Sequence, residues 1–335
     1  MKVKLNHGVL RSTSYLLPLL LLPLYLSGCG GGSDAFVPPI QRAEFISPTV
    51  ALVINKNSQL KQISPEPNVE TIDFTNKVAA LSYLDPTNVW VVDLERNLWR
   101  KKGETFSPID SNGFKESVPL LRTGLQFVDE RNGWARTITE LFVTEDGGQT
   151  WRSVLTTGPG TLRDMLVLDR NTLFLFGANG QLKRTRDTGR SWETISIGTS
   201  SDITALSCSN SDKVCLAGTS DGGLFRITQE GAAKQLDFPR ERRLSITDVT
   251  QTDGNSIFVS GFGMYEPTKD PLGGVLLVTH DYGKSWQFVN VPSDQRFVSV
   301  KAFGEVIWLA SLSRIYRSSD AGQSWTKVFS AENDK

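Results

Sequence analysis

The stretch Thr144-Glu-Asp-Gly-Gly-Gln-Thr-Trp151 (TEDGGQTW) returns three more times in the chain. It reads TRDTGRSW from Thr185, THDYGKSW from Thr279 and SSDAGQSW from Ser318. Every copy holds a hydroxyl residue, Asp two positions on, Gly two after that, then Thr or Ser, then Trp. The fixed points are Asp146, Gly148 and Trp151; Asp187, Gly189 and Trp192; Asp281, Gly283 and Trp286; Asp320, Gly322 and Trp325. A carboxylate at that spacing can accept backbone N–H groups within a tight turn. The Gly admits a positive φ that a side chain would penalise. The Trp opens the next strand and can bury a large ring in the blade. These four carboxylates are therefore expected to build turns, not to do acid–base or metal chemistry.

The copies are spaced 41, 94 and 39 residues apart. The middle gap implies a missing copy near residue 230, where Gly223–Gly231 (GLFRITQEG) keeps the approach strand and lacks the Asp and Trp. That approach strand recurs seven times: QLKQI at 59–63, NLWRK at 97–101, ELFVT at 140–144, QLKRT at 181–185, GLFRI at 223–227, VLLVT at 275–279 and RIYRS at 314–318. Within one unit, DMLVLD, TLFLFG, QLKRT and WETISI are short, β-branched or aromatic-rich runs bounded by Gly, Asn or Asp. Nothing over residues 40–330 keeps a long helical period. Four strands repeating every 40–50 residues is the pattern of a propeller blade. The expected fold is all-β, a seven-bladed β-propeller of four-stranded blades over residues 41–330, with 331–335 as a C-terminal tail. Either a complete last blade or a strand shared between the termini would close the ring.

The first residues have a different character. Lys2, Lys4 and Arg11 precede the apolar run Tyr15–Leu26, and residues 1–28 hold no carboxylate. Twelve apolar residues interrupted by Pro18 and Pro23 are too few to span ~30 Å of hydrocarbon. They fit a secretory signal. The following Leu26-Ser-Gly-Cys29 resembles a bacterial lipobox. That resemblance implies cleavage before Cys29, lipid attachment at Cys29, and, with Gly30 rather than Asp next, an outer-membrane address facing the periplasm. Residues 29–40 then form a Gly/Ser- and Pro-rich tether. The whole chain has 36 basic and 36 acidic residues. Without the basic residues of the signal it is mildly acidic, so no global field points to nucleic acid. Cys208 and Cys215 flank a polar turn between two apolar runs, and an exported compartment permits a disulfide between them.

The eight-residue repeat S/T-x-D-x-G-x-S/T-W is similar to the Asp-box, or bacterial neuraminidase repeat. Proteins that carry it include sialidases, xyloglucan-cleaving glycosidases, sortilin-type receptors and photosystem II assembly factors. A lipoprotein-like signal with one seven-bladed domain most resembles the assembly-factor family and its relatives in non-photosynthetic bacteria. The resemblance implies a non-catalytic scaffold that binds a protein partner and assists assembly or stability of a membrane complex. A monomer is expected.

No residue is assigned a catalytic role. A sialidase would carry an Arg-Ile-Pro motif and six blades, and this sequence has neither. A glycosidase needs two carboxylates at a set separation. Asp164, Asp202 and Asp248 sit near the starts of inner strands, yet no spacing rule selects a pair. A carbohydrate-binding or glycoside-hydrolysing propeller is the alternative. The chain has two histidines, His7 in the signal and His280 in a repeated turn. No His-based triad, metal site or cofactor is expected.

Loops between second and third strands share one face of a propeller with the linkers between blades. The repeated turns belong on the other face. The first face is the candidate partner surface. It would carry Arg240, Arg242 and Arg243 of FPRERRLS, with Arg122, Arg163 and Arg296 of other linkers. It would also carry Tyr265 and Lys269 of the insert 261–274. Arginine suits bidentate recognition of carboxylate or phosphate. The opposing expectation is that these arginines pair with Glu241, Asp164 and Asp202. Trp90, Trp99, Trp134 and Trp308 lie in apolar runs and are expected in the core.

Overall fold

The computed structural model describes residues 15–16, 40–65, 69–111, 124–137, 139–158, 162–209, 214–239, 244–252, 255–263, 273–291 and 296–332. They form a seven-bladed β-propeller. Each blade is an antiparallel sheet whose four strands follow in chain order. Blade 1 comprises Ile40–Ser47, Val50–Asn55, Leu60–Ile63 and Val69–Thr71. Blade 2 comprises Val78–Asp85, Asn88–Asp93, Leu98–Lys102 and Thr105–Ile109. Blade 3 holds Gly124–Phe127, Gly133–Arg136, Glu140–Thr144 and Arg152–Thr156. Blade 4 holds Leu162–Val167, Leu173–Gly177, Leu182–Thr185 and Glu193–Thr194. In blade 5 they are Ile203–Cys208, Cys215–Thr219, Leu224–Ile227 and Ala233–Gln235. In blade 6 they are Leu244–Gln251, Ile257–Gly263, Gly274–Thr279 and Gln287–Val289. Blade 7 is Phe297–Phe303, Val306–Ser311, Arg314–Ser318 and Thr326–Ser330. A two-residue strand, Tyr15–Leu16, adds to the inner edge of blade 1, opposite Ala43 and Arg42.

Position in the blade explains the composition of each strand. Second strands are flanked by strands on both edges and by blades on both faces. They read as unbroken apolar runs, as in VIWLAS of Val306–Ser311. Outer strands meet solvent, and Val69–Thr71 is exposed throughout. Apolar clusters join each blade to its neighbour; one unites Trp90 and Leu98 of blade 2 with Leu125 and Phe127 of blade 3. Trp90, Trp134 and Trp308 are fully buried. Trp99 is only half-buried, with its indole N–H donated to Asp93 at 2.8 Å and its ring edge-on to Phe74.

Blade 7 is complete, so the ring closes without a shared strand. Blades 7 and 1 join face to face. Phe45 stacks on Trp308 at 5.7 Å, and the Trp308 Nε1–H donates to Ser47 O at 3.0 Å. Arg317 Nε donates to Pro48 O at 2.9 Å, and the Ile40 N–H to Leu312 O at 3.0 Å.

The four repeated stretches join third to outer strands and share one hydrogen-bond scheme. In the second copy Thr185 Oγ1 donates to Asp187 Oδ1 at 2.8 Å and accepts the Gly189 N–H at 2.9 Å. Asp187 Oδ1 accepts the Ser191 N–H at 2.8 Å, and Oδ2 accepts the Ser191 hydroxyl at 2.6 Å. The same bonds recur around Asp146, Asp281 and Asp320. Two successive residues take positive φ: Thr188 at 60° before Gly189 at 77°, and Ala321 at 55° before Gly322 at 92°. The first of each pair donates its N–H to the loop between first and second strands, as Thr188 does to Asn171 O at 3.1 Å and Ala321 to Glu305 O at 2.8 Å. The Trp does not bury its ring within its own blade. Trp151, Trp192, Trp286 and Trp325 are half-buried and lie over the seam with the preceding blade. The glycine three residues before each Trp lets the turn approach the previous blade: a Cβ on Gly189 would come within 2.8 Å of Val154 of blade 3.

Cys208 and Cys215 stand opposite each other on paired strands of blade 5 and are joined by a disulfide.

Candidate functional site

Strand order places the linkers and the second-to-third-strand loops on one face, with the repeated turns on the other. On the linker face, six inner strands carry a register shift near their start, as between Leu162 and Asp164 and between Ile246 and Asp248. A bulge of this kind re-aims side chains at a sheet edge. Arg163 lies on one of them. Its Nη2 pairs with Asp202 Oδ2 of the next blade at 2.5 Å, both side chains about one-third exposed. Asp202 Oδ1 also accepts the Asn179 N–H at 3.0 Å, tying this linker to the neighbouring hairpin loop. Arg296 is exposed and its guanidinium lies 4.5 Å from the ring centre of Phe262. Arg122, Arg240, Arg242, Arg243, Tyr265, Lys269 and Cys29 lie outside the described residues.

The second-to-third-strand loops are held by a polar residue at the end of the second strand. Asn55 Oδ1 accepts the N–H groups of Asn57 and Gln59 at 3.0 and 2.9 Å, and Asp93 Oδ1 those of Glu95 and Asn97 at 2.9 and 2.8 Å. Thr219 Oγ1 accepts the Gly223 N–H at 2.8 Å and donates to Asp221 at 2.6 Å. Three described loops of the linker face are thus fixed by side-chain hydrogen bonds.

Below this face a group of buried charges surrounds the inner strands. Arg42 Nε lies 3.2 Å from Glu44 Oε1 on the inner strand of blade 1. Arg136, at the end of the second strand of blade 3, lies 3.7 Å from Asp164 of blade 4. Burial pushes the Asp164 carboxyl up, against the opposing pull of Arg136 and Arg42. Asp248 accepts the Ser299 hydroxyl and the Val300 N–H, both at 2.9 Å, at the seam of blades 6 and 7. Burial pulls the Lys301 ammonium down to about 8, and Asp248 opposes it.

The three acids singled out from sequence therefore sit in three different settings: Asp164 beside Arg136, Asp202 bound to Arg163, Asp248 inside a seam network. Arg42, Glu44 and Arg136 were not singled out. Their signal was a charge inside an otherwise apolar strand, IQRAEFIS or GWAR. Among the described residues no three His, Cys, Asp or Glu side chains gather in a way that could hold a metal ion. On the turn face, hydroxyl and backbone donors hold the carboxyl of Asp187 down to about 2 and that of Asp320 likewise, with Asp281 lower still.

Fold and charge arrangement define a β-propeller whose acidic turns are internally hydrogen-bonded. No family model matches the sequence, and no curated protein matches it by sequence. Solved structures match the fold. YCF48 bound to D1 peptide is similar at 14% identity with a TM-score of 0.61, over 83% of this chain and 89% of that one. YCF48 from Cyanidioschyzon merolae is similar at 17% identity with a TM-score of 0.59, over 86% and 93%. The GH74 enzyme from Niastella koreensis is similar at 13% identity with a TM-score of 0.66, over 84% of this chain and 52% of its own length. This chain thus spans about half the length of that enzyme.

Proposed function

We propose that the protein is an exported, lipid-anchored propeller that does no chemistry and binds a protein partner. Cys29 carries the lipid on the outer membrane, and the linker face, rich in arginine, holds the partner. The observation that carries this reading is the fold likeness to YCF48: the match spans 89% and 93% of two YCF48 structures, and one of them is bound to a D1 peptide. The fixed loops of the linker face support the same reading, because a pre-ordered surface loses little entropy on binding. The four repeated turns, read as Asp-boxes, serve the scaffold. The expected role is to assist assembly or stability of a membrane complex.

The second reading is a glycoside-binding or glycoside-hydrolysing propeller, favoured by the fold likeness to the Niastella enzyme. One experiment separates them. The lipidated protein and its Arg240→Glu/Arg242→Glu/Arg243→Glu variant are used as bait against detergent-solubilised envelope, and both are assayed on a xyloglucan oligosaccharide panel. A protein retained by the native chain and lost by the variant supports the scaffold. Identical captures, or oligosaccharide cleavage, would displace it.

A further inference from the structure

The seam between blades 4 and 5 is the place where the fifth copy of the repeated turn is missing. At the seam of blades 2 and 3 the turn runs for eight residues between the paired Val143 and Arg152. There Phe127 stacks on Trp90 at 4.0 Å, Trp151 meets Phe127 edge-on at 6.0 Å, and the Trp90 N–H donates to Gly147 O at 3.2 Å. At the seam of blades 4 and 5 strand pairing puts Phe174 where Trp90 was, opposite Arg184 as Trp90 is opposite Arg100. The disulfide pair Cys208 and Cys215 replaces Phe127 and Gly133. The turn between Arg226 and Lys234, the pair equivalent to Val143 and Arg152, is seven residues long and has no Trp. Two rings and one residue of turn are therefore absent from one seam.

The result is a cavity of about 220 Å³ that opens on the turn face, lined by Leu168, Phe174, Arg184, the disulfide and Gln229 among others. The equivalent place one seam on, where blade 6 carries a full turn with Tyr282, measures about 10 Å³. The seam that keeps its Trp and carries Tyr282 is thus filled, and the one without them is open. Engineered cavities of ~150 Å³ take up a benzene ring, so this one is large enough for an aromatic side chain.

Its chemistry suits a ring. Arg184 is 3% exposed and lies 5.4 Å from the ring centre of Phe174. Its Nε donates to Glu193, and among the described residues its terminal nitrogens donate to none. Arg186 donates to Gln229 O and lies 3.6 Å from Glu193. A buried guanidinium held by Glu193 can also receive the face of a ring. Sulfur also packs well against aromatic edges.

We propose that this cavity is a recognition pocket for an aromatic side chain of a partner protein, which takes the place of the rings the chain lacks at this seam. The site is on the face opposite the arginine-bearing linkers and does not depend on them. The test is a titration of the isotope-labelled full chain with N-acetyl-tryptophanamide, followed by NMR, with N-acetyl-leucinamide in parallel. Saturable shifts at Phe174, Ser209 and Gln229, at least tenfold weaker for the leucine compound, are expected. Two filled chains serve as controls: Gln229→Trp, and a chain in which residues 227–233 are replaced by the stretch 144–151. Each should lose the response at least tenfold while unfolding at no lower temperature than the native chain. Absent shifts, equal shifts with leucine, or an unchanged response in a filled chain that stays folded would overturn the proposal.

Discussion

At the residue scale, an Asp that reads as an acid is a cross-brace. Asp187 accepts three hydrogen bonds within its own turn and has no unoccupied role on the turn face. The unfolded value is near 3.8 and the folded one about 2. A depressed carboxyl contributes stability that is present above the unfolded value and lost as pH falls through the folded one. Acid unfolding should therefore steepen between about pH 4 and pH 2. Asp187→Asn should lower the unfolding temperature at pH 7 and flatten this acid limb, because the amide still accepts the backbone N–H but cannot accept the Ser191 hydroxyl through Oδ2. Thermal scans across that range check it. Asp, Gly and hydroxyl were legible because their identities repeat. The first positive-φ residue of each pair was not: Gly147, Thr188, Tyr282 and Ala321 fill it, and only the backbone bond to the neighbouring loop unites them.

Elements add the seams between blades. Trp308 is wholly buried and makes both a stacking contact and a hydrogen bond to blade 1. Trp308→Ala should cost about 3–5 kcal/mol in chemical denaturation. The disulfide closes a short hairpin, with a sequence separation of 7. Its removal in Cys208→Ser/Cys215→Ser should cost about 2–3 kcal/mol by loop entropy, read from the same denaturation curves. Arg136→Met strands Asp164 in a buried place, and a broken buried pair costs about 3–5 kcal/mol. The strands themselves were legible from apolar runs between Gly, Asn and Asp. The buried charges were not, since a charge in a strand normally marks a solvated side, and only a partner such as Asp164 of the next blade beside Arg136 accommodates it inside.

For the whole molecule, seven repeats of about 41 residues determined the blade count. Closure was not legible, because a complete last blade and a shared strand give the same number of strands. The contacts of Phe45, Trp308 and Arg317 decide it. The candidate site was legible in part: sequence placed arginines on linkers, and the structure shows Arg163 committed to Asp202 while Arg296 stands exposed over Phe262. The most direct measurement of the scaffold reading is site-specific photo-cross-linking in the envelope. A photoreactive residue is placed at Arg296 on the linker face, and in a second chain at the exposed Gln149 on the turn face. The account predicts a discrete protein adduct from Arg296. Adducts from Gln149 alone, or none from either position, would contradict it.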